Sequence, residues 1–67
     1  MITIFINEKC YNIDKNFSLL KILENYLSDL EGIAVAINYN VIPRSLWDKT
    51  YLNDNDHILI IKATRGG

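Results

Sequence analysis

The segment HILIIKA, residues 57–63, constrains the fold of this chain most, because it is apolar at consecutive positions rather than at every second one. Alternation is typical of a strand with one face in water, whereas an unbroken apolar run indicates a strand covered on both faces. The preceding residues 53–56, NDND, are typical of a turn and mark where this strand begins. The segment is therefore predicted to be a central strand of a sheet.

Four further strands are predicted from period and from turn residues: residues 1–7, 10–13, 33–38 and 41–44. In the first of them, isoleucines alternate with Thr3 and Phe5, which is the period of a strand with one buried face. In the last, Pro43 restricts the strand to an edge, because proline has no N–H to donate to a neighbour.

Between the second and third strands, the apolar period changes to that of a helix. Leucines recur at three- and four-residue steps at Leu20, Leu23, Leu27 and Leu30. Ser18 is the predicted N-cap, and Phe17 and Ile22 have the spacing of a hydrophobic staple. Gly32 is predicted to end the helix, since glycine adopts the left-handed conformation without penalty.

This order of elements predicts an α+β protein with a β-grasp (ubiquitin-like) fold. One amphipathic helix must cover one face of a mixed sheet of four to five strands, with the first and last strands central. Residues 1–67 are expected to be one domain, because a chain of this length holds a single core.

Composition excludes several classes of function. The formal net charge is −1 and no two of the seven Lys and Arg are adjacent, which argues against nucleic-acid binding. No apolar run approaches the roughly 18 residues of a membrane span. The single cysteine cannot form an intramolecular disulfide, and no Cys/His set has the spacing of metal ligands. We expect a cytoplasmic protein that binds no metal and is monomeric when alone.

One set of residues is spread along the whole chain: Ala36-Ile37-Asn38, Ile42-Pro43-Arg44, Trp47, Asp54, Asp56 and Gly66-Gly67. In combination this set resembles the ThiS family of sulfur carriers of thiamine biosynthesis. The turn commonly written Asp-Gly-Asp in that family has Asn55 at its centre here. Asparagine also tolerates positive φ, so the turn is expected to form.

The residues offer almost no catalytic apparatus, so we expect a protein co-substrate rather than an enzyme. His57 is the only histidine, and no nucleophile is spaced to be activated by it. The remaining reactive group is the α-carboxylate of Gly67, which must be activated, as by adenylation, before sulfur can replace an oxygen. Gly66 lacks a side chain that would block a narrow tunnel in a partner, and Arg65 is expected to pair there with an acidic residue. Residues 64–67 are predicted to be a flexible tail.

The resemblance implies the partners. A ThiF-type adenylyltransferase would use ATP on Gly67, a persulfide of a cysteine desulfurase would supply sulfur, and thiazole synthase (ThiG) would receive it. This chain itself would bind no cofactor. Two alternatives remain: a carrier of the type of the molybdopterin synthase small subunit, and a β-grasp interaction module whose glycines are incidental.

The two faces of the predicted sheet have different expected roles. Because side chains alternate along a strand, one set of apolar side chains is predicted to face the helix: Ile4, Ile6, Val35, Ile37, Ile58 and Ile60. The opposite set then lies on the face away from the helix, here called the outer face: Phe5, Ala36, Leu59 and Ile61. One helix cannot cover both faces, so the outer face is predicted to be a partner-docking surface unless loops cover it.

Five other residues carry smaller expectations. Cys10 is expected to be a small, at least half-buried filler at a hairpin, and His57 to cap the entry of the last strand. Trp47 and Pro43 are predicted to hold their loop over the core. Arg44 is either a partner contact or a solvated charge at the rim.

Overall fold

The computed structural model describes residues 1–62. These residues form a five-stranded mixed sheet with one α-helix on one face. The elements are β1 (Ile2–Ile6), β2 (Lys9–Ile13), α1 (Leu19–Tyr26), β3 (Ile33–Ile37), β4 (Asn40–Val41), a 3₁₀ helix (Arg44–Lys49) and β5 (His57–Lys62). This is the predicted β-grasp arrangement. The flexible tail predicted at 64–67 lies outside the described residues.

The late apolar segment is the central strand, as predicted. The strand order is β2-β1-β5-β3-β4, so β5 lies in the middle of the sheet and β1 beside it. β5 runs antiparallel to β3 and parallel to β1. Ile58, on the helix side of β5, is only 2% exposed.

The helix begins as predicted but ends earlier. The Oγ atom of Ser18 accepts a hydrogen bond from the N–H of Lys21 at 3.2 Å, which confirms the N-cap. The C-cap is Leu27, whose backbone is already extended, so the prediction that Gly32 ends the helix is wrong. Downstream, the carboxylate of Asp29 accepts from the N–H of Glu31 at 2.9 Å, a local turn that competes with helix.

The region after β4 also differs from its prediction. β4 is only two residues long, and the chain after Pro43 forms a 3₁₀ helix instead of continuing as an edge strand. Proline suits the start of a helix, because its φ, here −59°, is fixed near the helical value. Trp47 in this helix is only 2% exposed, and the indole Nε1–H of Trp47 donates to the carbonyl of Ile42 at 2.9 Å. Trp47 thus holds the loop over the core, as predicted.

The core lies between α1, the 3₁₀ helix and one face of the sheet. It contains Ile4, Ile6, Ile13, Leu19, Ile22, Leu23, Val35, Trp47, Leu52 and Ile58. Ile37 and Ile60 are partly buried and pack against this core, so the predicted helix-facing set is confirmed. Among the described residues, no helix is long and apolar enough to cross a membrane.

Two hairpins close with two-residue turns of the same kind, at Asn7-Glu8 and Asn38-Tyr39. All four turn residues have positive φ, between 47° and 73°, which is the signature of a type I′ turn. Asparagine tolerates this conformation, but a side chain such as that of Tyr39 is strained in it. Tyr39 is 95% exposed, so no packing repays the strain.

Tyr39→Gly is expected to raise the free energy of unfolding by about 0.5–1 kcal/mol, because glycine removes the left-handed strain and costs only some chain entropy. Tyr39→Ala is the matched control, since it removes the ring and keeps the Cβ atom responsible for the strain. Urea unfolding of the three proteins measures the effect. An equal gain in both variants would show that the ring, not the backbone conformation, is unfavourable.

Candidate functional site

The outer face of the sheet exposes a group of apolar side chains beside the end of β5. Leu59 is 43% exposed and Ile61 is 53% exposed. Val41 is 72% exposed and pairs with Ala36, which in turn pairs with Leu59. Paired residues lie on the same face of a sheet, so Val41 extends the predicted surface across β3 to the sheet edge.

Ala36 corrects one part of the prediction. It lies on the outer face but is only 7% exposed, so the expectation that it presents surface to a partner is wrong. Its side chain is a single methyl group between the larger side chains of Leu59 and Val41 on the neighbouring strands, which shield it. Of the three paired residues Val41, Ala36 and Leu59, it is Val41 and Leu59 that are exposed.

An aromatic pair completes the surface. The rings of Phe5 and His57 stack with centroids 4.5 Å apart and an interplanar angle of 10°. They line a shallow groove together with Asn7, Glu8, Asn38, Tyr39, Ile58, Leu59 and Ile60. Both type I′ turns therefore border this groove.

His57 has the predicted capping position and a further contact that sequence reasoning missed. Its N–H donates to the Oδ1 atom of Asn38 at 3.0 Å at the start of β5. Its ring covers Phe5 and leaves Phe5 only partly exposed. The register between β1 and β5 brings these rings together, so the pair was visible only once the parallel pairing of Phe5 with His57 was known.

The structure contradicts the expectation for Cys10, whereas both alternatives for Arg44 stay predictions. Cys10 is exposed, so the expectation of a half-buried filler is wrong, because its position in the edge strand β2 faces solvent. The Nη1 atom of Arg44 donates to the carbonyl of Leu30 at 3.3 Å, and its guanidinium lies 5.4 Å from the ring centroid of Trp47. Arg44 is thus engaged within the chain, across the segment that follows α1.

The acidic residues that carried the family resemblance hold a turn. Asp54 accepts from the N–H of Thr3 at 2.7 Å, and Asp56 accepts from the Nδ2–H of Asn38 at 3.0 Å. Asn55 between them has a φ of 70°, so the turn forms as predicted. Within residues 1–62, no group of three or more His, Cys, Asp or Glu side chains is placed to hold a metal ion.

The predicted modified residue Gly67 and its neighbours Arg65 and Gly66 lie outside the described residues. The described part of the chain ends in β5 at Lys62, directly before that tail. β5 also carries Leu59 and Ile61 of the outer face, so these two exposed side chains lie within the last four described residues of the chain.

Comparisons with known proteins agree with this geometry. The model of the ThiS family matches residues 4–67. A protein named "Uncharacterized protein ycf40" from Porphyra purpurea is 40% identical, over 98% of this chain and 93% of its own. The sulfur carrier protein ThiS of Escherichia coli is 28% identical, over 96% of this chain and 97% of its own.

A solved structure has the same fold. The crystal structure of the thiamine biosynthesis protein ThiS from Geobacter metallireducens aligns with a TM-score of 0.83 at 22% sequence identity. The alignment covers 98% of this chain and 100% of that one. The shared architecture is the β-grasp fold.

Proposed function

Because the chain belongs to the ThiS family of sulfur carriers, we propose that its Gly67 carboxylate carries sulfur for the thiazole moiety of thiamine. The observation that supports this most directly is that the family match extends through Gly66 and Gly67. The carrier is a co-substrate, and its partners perform the catalysis.

The proposed chemistry takes place on the α-carboxylate of Gly67. A carboxylate oxygen attacks the α-phosphorus of ATP in a ThiF-type adenylyltransferase, and pyrophosphate leaves. A sulfide equivalent then attacks the acyl carbon, AMP leaves, and a thiocarboxylate remains. When a persulfide delivers the sulfur, a thiol must also cleave the S–S bond. The thiocarboxylate sulfur is a soft nucleophile that thiazole synthase (ThiG) accepts.

Two parts of the chain have separate proposed roles: the outer face docks on the partner, and the tail enters it. The outer face around Leu59, Ile61 and Val41 is apolar and lacks a covering helix, which suits it to docking on the adenylyltransferase. Gly66 has no side chain to obstruct entry of the tail into the partner. Arg65 is proposed to pair with an acidic residue near the entrance.

The proposal is tested by incubating the protein with ATP, a ThiF-type enzyme, a persulfide donor and a thiol that cleaves the S–S bond. The intact protein is expected to gain the mass of one oxygen-to-sulfur exchange, located at Gly67 by fragmentation. Omitting ATP is the control, because the acyl adenylate cannot form without it. An unchanged mass in the complete mixture would contradict any carrier function of this kind.

The sulfur acceptor distinguishes the two carrier types. Thiazole synthase is expected to consume the thiocarboxylate, whereas a large subunit of molybdopterin synthase is not. The reverse result would place the chain with the molybdopterin-type carriers and refute the thiamine assignment.

A further inference from the structure

The central strand β5 continues past the end of its neighbour β1. β1 pairs with β5 through Phe5 with His57 and Ile6 with Ile58. At Asn7 the chain turns away with a φ of 47°, and its backbone N–H makes the last backbone bond from β1 to β5, to the carbonyl of Ile58 at 3.0 Å. A continuing parallel strand would supply a carbonyl and an N–H to the next residue on this edge, Ile60.

The side chain of Asn7 supplies that carbonyl and that N–H. Its Oδ1 atom accepts from the N–H of Ile60 at 2.9 Å, and its Nδ2–H donates to the carbonyl of Ile60 at 3.4 Å. The carboxamide therefore replaces the backbone of an absent strand. The next N–H and C=O on this edge belong to Lys62, directly before the tail.

A second asparagine makes a related contact at the opposite end of β5, at its first residue. Asn38 is the first residue of the other type I′ turn, with a φ of 49°. Its Oδ1 atom accepts from the N–H of His57 at 3.0 Å, at the start of β5 on the side of β3. The two asparagines thus bond to opposite edges and opposite ends of the same strand.

We propose that Asn7 is a positioning residue for the reaction of Gly67, acting through the edge of β5 where the tail begins; this rests on the proposed carrier function. Without the carboxamide, β3 still holds the other edge of β5, through pairs such as Ala36 with Leu59 and Ala34 with Ile61. The domain therefore stays folded, but the end of β5, from Ile60 to Lys62, becomes less constrained. A longer and less directed tether lowers the effective concentration of the carboxylate at the ATP of the docked partner.

The test compares Asn7→Gly with Asn38→Gly. Glycine suits both turns and removes only the carboxamide, so each variant loses two side-chain bonds: Asn7→Gly loses two to Ile60, and Asn38→Gly loses one to His57 and one to Asp56. Adenylation by a ThiF-type enzyme is followed by pyrophosphate release. Asn7→Gly is expected to lower kcat about fivefold, the factor that corresponds to one net hydrogen bond, with KM unchanged because the outer face is intact. Asn38→Gly is expected to leave kcat within about twofold of the wild type.

A conservative variant and a partner-independent measurement complete the test. Asn7→Asp keeps an acceptor for the N–H of Ile60 and is expected to restore most of kcat. Amide hydrogen exchange is expected to be faster at Ile60 in Asn7→Gly but not in Asn38→Gly.

Each outcome has one reading. Equal kcat for the two glycine variants, or unchanged exchange at Ile60, would overturn the role of Asn7. A wild-type protein that is not adenylated would instead refute the proposed function, and the exchange measurement would still decide whether Asn7 anchors β5.

Discussion

Gly66→Val is expected to lower the rate of thiocarboxylate formation at Gly67 by at least about a hundredfold, because misplacing a reacting group by about 1 Å is enough for such a loss. The branched side chain would obstruct a tunnel that accepts bare backbone. One residue appended after Gly67 is expected to abolish the reaction, since the carboxylate then lies beyond the α-phosphate of ATP. Intact mass after incubation with ATP, the ThiF-type enzyme and a persulfide measures both effects.

Cys10→Ser is the control for these tail variants. Cys10 is exposed and therefore accessible to persulfides, but it forms no acyl adenylate, so its loss is expected to leave the mass shift unchanged. Sulfur found on Cys10 instead of Gly67 would contradict the carrier mechanism, and so would normal reaction of the extended tail.

Ile58→Asp is expected to unfold the domain. Ile58 is 2% exposed in the core, and an unpaired carboxylate buried there costs several kcal/mol. A domain of this size has only about 3–10 kcal/mol of stability in total. Circular dichroism and urea titration are expected to show no cooperative transition for this variant at pH 7.

The neighbouring residue gives a matched comparison on the opposite face. Leu59 is 43% exposed, so Leu59→Asp is expected to lower stability by no more than about 1 kcal/mol. The same charge on the outer face is expected to weaken binding to the adenylyltransferase, measured by calorimetry. If Leu59→Asp unfolded the protein and Ile58→Asp did not, the assignment of the two faces would be reversed.

Signals that depend on neighbouring residues in the chain predicted much of this fold. The hydroxyl of Ser18 caps the helix, and the apolar run of β5 identifies the central strand. Asn55 adopts the positive φ expected of it. Each of these features follows from local hydrogen bonding or from the period of burial.

Features that depend on distant residues were not predictable in the same way. The helical spacing of leucines continues through Leu30, but the helix ends at Tyr26, and the carbonyl of Leu30 instead accepts a hydrogen bond from Arg44, 14 positions away. Ala36 is shielded by side chains of two other strands, and their size could be related to it only through the register. The contact of Asn7 with β5 was not predicted, because its bond to Ile60 joins residues 53 positions apart.

The position of β5 has a consequence for how the chain folds. The pairs β1–β2 and β3–β4 are separate hairpins until β5 inserts between them, and an isolated hairpin is at best marginally stable. Pairing β5 with β1 closes a loop that contains most of the chain, and this loop loses entropy before the contacts of β5 form. Assembly is therefore slow and all-or-none. During synthesis both hairpins leave the ribosome before β5 does. The exposed outer face and the contact of Asn7 with Ile60 therefore arise in the same cooperative step, so a partner that required both would exclude incompletely folded chains.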